Sequence, residues 1–563
     1  MAIDPHSDYA AFLSAFRIED LAGQLSGDLL TSLNVCYECC DRHADTGKVA
    51  LYWEGVGGRS ASYTFAELQE LSARFANFLR ARGICPGDRV AGLLPRTPEM
   101  LVVALGTWRA GAVYQALFTA FGPKAIEYRL ERGQARLIVT DLENRPKLDG
   151  VSALPDIMTV APHFEGFRRA AGRKNPAGDF DFWNEIDQQS TAFDPVMRSA
   201  EDPFAMLFTS GTVGHAKGVA VPQKALLSLL AYMHYGIGLR DEDAYWNVAD
   251  PGWAYGLYCG VVAPLLLGHA MTFYEGPFTV ESTYHMLSKY RISNLAAAPT
   301  VYRLLLNAGE QPAREIRGQL RVANSAGEPL NPEVIRWFEE NIGCTIHDQY
   351  GQTELSMAIC NTDSFEYERQ SGSMGFPMPG FRAVVLDENF RELGAGKAGQ
   401  LAIDREQSAL YWFQGYWQQE TSECFHGPYY LTGDTAEVSE DGAFTFVGRA
   451  DDLITSAGYR IGPFDVESCL IEHPAVAESA VIGKPDPERT ELVKAFVVLR
   501  SEHEPSPELS ADLQQFVKER LSAHAYPREI EFVDELPKTP SGKIQRFVLR
   551  RQEIEKSSES TGP

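Results

Sequence analysis

The sequence predicts an α/β protein with a large N-terminal part of two stacked α/β layers and a smaller C-terminal part. Three observations carry this. Helix and strand patterns alternate from Tyr63 to Thr140, alternation resumes between Gln223 and Ala326, and the texture changes near Gly448. A chain of 563 residues is also several times the usual domain length.

The elements follow in order. Thr64 and Glu67 form a capping box ahead of Leu68, Leu71, Phe75, Phe78 and Leu79 at helical spacing, and that helix is expected to end near Gly83. Arg89 to Leu94 reads as a buried strand, Pro98 to Trp108 as a helix, Ala112 to Leu117 as a strand, Pro123 to Arg132 as a helix and Leu137 to Thr140 as a strand. Such alternation implies a parallel sheet covered on both faces. In the second stretch, Ala225 to Tyr235 reads as a helix, Ile292 to Ala297 as a strand and Pro299 to Leu306 as a helix. Charged Arg449 to Asp452, followed by Gly458, Gly462 and Pro463, mark the domain joint. The expected domains are 1–450 and 451–563.

Composition narrows the function. Apolar residues make up 44% and charged residues 23%, as in folded globular enzymes. Against 51 basic residues stand 76 acidic ones, for a net charge of -25. That disfavours a general grip on nucleic acid or an anionic membrane, so a polyanionic ligand must be held locally. Nine cysteines spread from Cys36 to Cys469 fit a reducing cytosol. Cys36, Cys39 and Cys40 lack a second pair to complete a tetrahedral metal set and read as buried or free thiols. No basic start precedes an apolar stretch at the N-terminus, and runs such as Val261 to Leu267 are too short to cross a bilayer. A soluble cytoplasmic protein is expected.

The most informative segment is Leu207 to Gly218, LFTSGTVGHAKG. Its glycines let backbone N–H groups approach phosphate oxygens, its hydroxyls donate further, and Lys217 adds charge. A glycine-rich surface turn is the plain alternative. Gly211 to Lys217 nearly fits GxxxxGK[ST] but fails twice. Ala216 replaces the second glycine and Gly218 replaces the Ser/Thr that binds magnesium, and strand-like GVAVP follows where a helix should.

The loop resembles the Ser/Thr/Gly-rich signature TSGTTGxPKG of the acyl-adenylate-forming superfamily, with Val213 for the second threonine and Ala216 for the proline. Further segments of that family follow in order across nearly the whole chain. The resemblance implies a large N-terminal domain with a small β-barrel-like part and a small mobile α+β C-terminal domain. It implies that Thr209, Ser210, Gly211, Thr212, Gly214 and Lys217 surround the ATP phosphates. Ala326 to Leu330, AGEPL, resembles the adenine-lining segment with Gly327, Glu328 and Pro329, although alone it is a turn before a helix at Pro332. Asp348 to Glu354, DQYGQTE, resembles the central nucleotide motif. There Asp348, Gln349, Gly351 and Gln352 border the nucleotide, Tyr350 stands against adenine, Thr353 near phosphate and Glu354 toward magnesium, where one carboxylate can suffice beside shared phosphates.

Tyr430 to Thr435, YLTGDT, resembles the ribose site, where Asp434 can accept from both hydroxyls. Arg449 matches an arginine that also holds the ribose, and Arg460 one that reaches the phosphates. Asp451 corresponds to the hinge about which the small domain rotates between half-reactions; without the resemblance it is a solvated linker residue. Lys543, in LPKTPSGKIQR, resembles the lysine that bridges carboxylate and α-phosphate, which makes it catalytic with Thr209 and Glu354. For CoA, Ala457, Gly458 and Tyr459 match the strand that pantetheine slides past. Arg489 and Arg528, the latter beside Tyr526 and Pro527, are candidates for its phosphates, with surface decoration as the alternative.

The implied activity is an ATP-dependent, magnesium-requiring acid:CoA ligase working through an acyl-adenylate, nearest the medium-chain acyl-CoA synthetase branch. Acetate-specific members carry a bulky tryptophan where this chain has Gly351, so short branched to medium-chain acids are expected, with Trp253 of DPGWAYG as an apolar wall. Alternatives are an acetate, propionate or aromatic acid ligase, an adenylation enzyme loading a carrier protein, and a nucleotide sensor without chemistry. Further partners compatible with the reading are a second copy of the chain and a lysine acetyltransferase or deacetylase acting on Lys543.

Overall fold

The computed structural model describes residues 8–29, 32–161, 176, 178–209, 216–370, 372–449, 452, 454–456, 459–486, 489–521, 525–538 and 543–559. The first alternating stretch forms a seven-stranded sheet in the order Phe180–Asp181, Asp156–Val160, Ala135–Asp141, Arg89–Leu93, Val113–Ala116, Pro203–Phe208, Gly218–Pro222. All neighbours are parallel except the last pair, which is an antiparallel hairpin. Phe65–Ala81 starts at the expected capping box, with Glu67 accepting from the Thr64 amide at 2.8 Å. It buries one stripe, including Leu68, Phe75, Phe78 and Leu79. Pro98–Arg109 is apolar nearly all round and every residue is buried, as a helix between layers must be.

The second layer differs from a separate α/β sheet. Tyr245–Asn247, Asn294–Ala297, Val322–Ala326 and Ile346–Gln352 are parallel. Hydrogen bonding then continues antiparallel through Ser356–Cys360, Ser373–Pro377, Phe444–Arg449, Tyr429–Val438, Ala398–Asp404 and Ala383–Leu386, giving one eleven-stranded sheet with Phe425–His426 added to Tyr429–Val438. The barrel-like part expected from the resemblance is this antiparallel end. A third sheet joins Met271–Glu275, Val49–Gly55 and Arg59–Thr64.

The helix expected over Ala225 to Tyr235 is instead composite: a 3-10 turn Gln223–Ala225, α-helix Leu226–Ala231 and a π turn Tyr232–Gly236. Gly236 presses on the Tyr232 ring, where a Cβ would approach within 2.5 Å, and the Ile237 amide reaches five residues back to Tyr232 O at 2.8 Å. A second π segment, Gly256–Val262, lies beside the site described below, a common place for such bulges.

Strand Phe444–Arg449 belongs to the large sheet, and Ile454–Ser456 to a five-stranded sheet with Tyr459–Ile461, Val476–Asp486, Thr490–Leu499 and Glu529–Phe532. Helices Pro463–Ile471, Pro507–Arg520 and Arg546–Glu559 accompany this sheet. Val466, Leu470, Val481, Val493, Val497, Leu513 and Val517 give it its own core. Among the described residues, no helix is long and apolar enough to cross a membrane.

One buried ion pair locks the N-terminal elements together. Arg109, at the end of its helix, grips Asp41 with two nitrogens, donates to Ser72 Oγ at 3.1 Å and to Phe193 O at 3.1 Å, and both partners of the pair are nearly inaccessible. Arg109→Met is expected to destabilise the protein by about 3 kcal/mol, because Asp41 becomes an uncompensated buried charge. Arg136→Met, whose ion pair with Asp88 is half exposed, is expected to cost under about 1 kcal/mol. Paired unfolding curves check the contrast.

Candidate active site

A cleft of about 1160 Å³ opens beyond the carboxyl ends of the parallel strands of the large sheet. This is where open α/β sheets receive ligands. Residues that follow those strands line it, including Val248, Ala298, Gly327 and Thr353. The small domain contributes Pro463, Phe464, Lys543, Arg546 and Arg550.

The cleft floor is polar. Tyr350 Oη donates to Asp434 Oδ2 at 2.6 Å, and Gln352 Nε2 to the same oxygen at 2.9 Å. Arg449 Nη1 stands 3.3 Å from Asp434 Oδ1. Strand register makes this set possible, since Asp434 is paired with Arg449 across neighbouring strands. Burial raises the Asp434 pKa, and Arg449, Tyr350, Gln352 and Lys543 oppose that rise. The charge of Lys543 is thus felt at this carboxylate, although more than a hundred residues separate the two in sequence.

Glu354 is almost completely buried and accepts from Tyr416 Oη at 2.7 Å. Burial raises its pKa, and the Tyr416 hydrogen bond works against this. Lys217 places its ammonium 4.7 Å from the centre of the Tyr416 ring and pairs with Glu423 at 3.2 Å. Thr209 closes the neck of the glycine-rich loop. Its amide donates to Lys217 O at 2.9 Å, and its Oγ1 accepts from the Lys217 amide at 3.3 Å. Strand Gly218–Pro222 runs back antiparallel, so no helix opens at this loop. Among the described residues no group of three or more His, Cys, Asp or Glu could hold a metal ion. The buried Glu354 carboxylate is an oxygen donor of the kind magnesium takes when phosphates supply its other ligands.

Other expected residues, Glu328, Asp348, Gln349, Gly351 and Trp253, also line the cleft, but with side-chain surroundings of their own. Gln349 spends its side chain in the interior: its Oε1 accepts from Tyr232 Oη, and its Nε2 donates to Gly236 O at 3.1 Å, Asn324 Oδ1 at 3.0 Å and Asn361 O at 3.1 Å. Alternation along the strand puts it opposite Tyr350 and Gln352. Asp348 accepts from the Leu330 amide at 3.3 Å and so braces the Gly327, Glu328, Pro329 loop; burial pushes its pKa to about 7. Glu328 pairs with Arg303 at 3.3 Å.

Gly351 does not face open space. A Cβ there would lie 2.2 Å from Ser356 O and 2.6 Å from Met357 Sδ, at a register shift between Tyr350 and Gly351. The volume freed by the missing side chain is taken by Met357, which itself lines the cleft. Trp253 lines the cleft with its ring against Phe118 and Phe121, at centroid distances of 5.6 and 5.4 Å.

Of the residues named for CoA, Arg489, Tyr526, Pro527 and Arg528 are not gathered at the cleft. Arg528 stacks 3.9 Å over the Tyr526 ring, Pro527 lies between them in sequence, and the Arg489 amide donates to Asp486 Oδ1 at 2.8 Å. None of the four lines the cleft. Ser210, Gly211, Thr212, Gly214, Asp451, Ala457 and Gly458 lie outside the described residues, as do the side chains of Tyr459 and Arg460 on strand Tyr459–Ile461. Sequence reading missed Tyr416, Met357 and Tyr258, whose hydroxyl supports Thr353 O at 3.0 Å. Only Tyr258 carried a signal, lying just past the DPGWAYG segment.

Comparison with known proteins follows the same lines. The family model described as AMP-binding enzyme matches residues 38–417, and that of the AMP-binding enzyme C-terminal domain matches residues 465–543. The chain is 40% identical to the acetyl-coenzyme A synthetase of Bacillus subtilis, over 93% of this chain and 91% of the relative. It is 36% identical to the mitochondrial acyl-coenzyme A synthetase ACSM4 of Rattus norvegicus, over 90% and 86%. The crystal structure of a Brucella canis acyl-CoA synthetase is 51% identical, superimposes with a TM-score of 0.79, and matches over 98% of this chain and 100% of its own. With its fold, its polar cleft and both parts accounted for, the chain belongs to the AMP-binding enzyme family.

Proposed function

We propose that this cleft activates carboxylic acids longer than acetate, from short branched to medium-chain, as acyl-adenylates and hands the acyl group to CoA. The chain is an ATP-dependent, AMP-forming acyl-CoA ligase. The observation that carries the residue roles is the meeting of Lys543, from the small domain, with Asp434 and Glu354 from the large one, in a single cleft.

In this reading Tyr350 stacks on adenine and braces Asp434, which accepts from the ribose hydroxyls with Arg449 beside it. Thr209 donates to phosphate oxygens, Lys217 joins it on leaving Glu423, and Glu354 would hold the magnesium, which would neutralise phosphate charge. A carboxylate oxygen of the acid attacks the α-phosphorus and pyrophosphate leaves. Lys543 lies where a cation offsets negative charge gathered between the two reactants, and it binds that arrangement more strongly than either ground state. The CoA sulfur then attacks the acyl carbon and AMP departs, so no protein nucleophile is required.

Because Arg489, Tyr526, Pro527 and Arg528 stand away from the cleft, the second step calls for a different orientation of residues 451–563. Rotation about Asp451 would bring in the Ala457, Gly458 and Tyr459 segment. All nine cysteines are free thiols, which supports a cytoplasmic location. Acetylation of Lys543 by a lysine acetyltransferase would remove the charge this chemistry uses, and a deacetylase would restore it.

Purified protein with MgATP, CoA and a panel of acids is expected to release AMP, with kcat/KM highest for acids of about four to eight carbons. Release of ADP, or a maximum at acetate, would refute the reading. Lys543→Ala is expected to lower acid-dependent exchange of labelled pyrophosphate into ATP by about a thousandfold while leaving thioester formation from supplied acyl-adenylate within about threefold. Met357→Ala should raise kcat/KM for acids about two carbons longer by roughly tenfold. Gly351→Ala should instead lower folding yield, because backbone blocks its Cβ.

A further inference from the structure

Asp452 sits between the two sheets. Its amide donates to Arg449 O at 3.0 Å, on the last strand of the large sheet, and two residues later Ile454–Ser456 begins the small one. The small domain presses close here, since a Cβ on Gly462 would lie 2.2 Å from Val447 O. The Asp452 carboxylate is almost fully covered and turns toward the distant helix Arg546–Glu559. Arg550 Nη2 donates to Asp452 Oδ1, and Arg546 Nη1 lies 3.5 Å from Asp452 Oδ2. Four residues apart on one helix, these arginines share a face.

Arg546 is gripped from its other side. Its Nε donates to Glu467 Oε1 at 2.9 Å and its Nη2 to Glu467 Oε2 at 2.6 Å, a bidentate pair. Glu467 Oε1 also accepts from the Val481 amide at 2.8 Å, which fixes that carboxylate to the small sheet. Glu328, in the large domain's AGEPL loop, adds attractive charge at Arg546. Arg546 follows Lys543 by three residues, and the segment between is tied down by the Gln545 amide donating to Pro537 O at 2.8 Å. The stretch that carries Lys543 is therefore anchored through Arg546 and Arg550 to the residue at the crossing between sheets.

We propose that Asp452, held by Arg546 and Arg550, is a positioning residue that keeps Lys543 over the nucleotide cleft during acyl-adenylate formation and has no part in thioester formation. The inference rests on the adenylating role given to Lys543 above. The clamp links the crossing point to the lysine loop, so the orientation of the small domain and the placing of its cation are set together. Removing it leaves the nucleotide-binding floor of Asp434, Tyr350 and Arg449 in place and lets the lysine wander, and a small misplacement is costly where charge must be met at a fixed point.

The test measures both halves separately with hexanoate, in wild type, Asp452→Asn, Arg550→Gln and the double variant. Wild-type pyrophosphate exchange into ATP comes first, because its absence would refute the adenylating reading itself and is distinct from failure of the clamp. Given exchange, Asp452→Asn is expected to lower the exchange kcat by about tenfold or more with the ATP KM within about twofold, and to keep thioester formation from supplied hexanoyl-adenylate within about twofold. Arg550→Gln should move the same quantities in the same direction by about threefold to tenfold, and it decides the matter if Asp452→Asn does not fold. The double variant should lose no more than about the larger single loss, since both substitutions break one contact. Equal falls in both half-reactions, unaltered exchange, or losses that multiply would each overturn the proposal.

Discussion

A carboxylate taken out of water must be given partners, and the architecture of this protein is arranged around one such group. Asp434 is buried beneath the cleft and receives Arg449 from the neighbouring strand and Tyr350 and Gln352 from a more distant strand of the same sheet. Those strands come from the sheet's two halves, parallel before Gln352 and antiparallel after it. Hydrogen bonding that runs on from one half to the other holds both sets of partners in one frame around the carboxylate. The merged sheet is thus what makes a polar floor affordable inside an apolar body.

The acidity of the chain fits the same constraint. With a net charge of -25 the long-range field repels a nucleotide, so attraction must come from a few cations at short range. Arg449 and Lys543 act directly at the floor, while Lys217 is turned to Tyr416 and Glu423. Coming from different domains, these charges assemble at one place through the fold rather than through a basic segment of sequence.

What could be read in advance divides by distance along the chain. Thr64 with Glu67, and the apolar helix from Pro98, declare themselves over a few residues, and both elements begin where expected. The DQYGQTE and YLTGDT strings mark strands that do border the cleft, because family motifs compress the site into short words. Gln349 shows the limit of that compression: it lies inside the motif and borders the cleft, yet the two-residue period of its strand turns its side-chain amide to interior partners. Tyr416 reaches Glu354 across 62 residues and Tyr258 reaches Thr353 across 95, contacts for which no local pattern exists. The merging of sheets was equally hidden, since it depends on pairings such as Ser373 with Thr445.

Gly351 and Met357 occupy one another's room, and this couples evolutionary change at the two positions. A side chain added at position 351 meets the Ser356 carbonyl before it meets any ligand, so a change there requires the backbone of the bulge to move. Shortening position 357 frees only part of that room, because the nearer obstacle is main chain; the two positions can therefore be exchanged only together with the bulge that joins them.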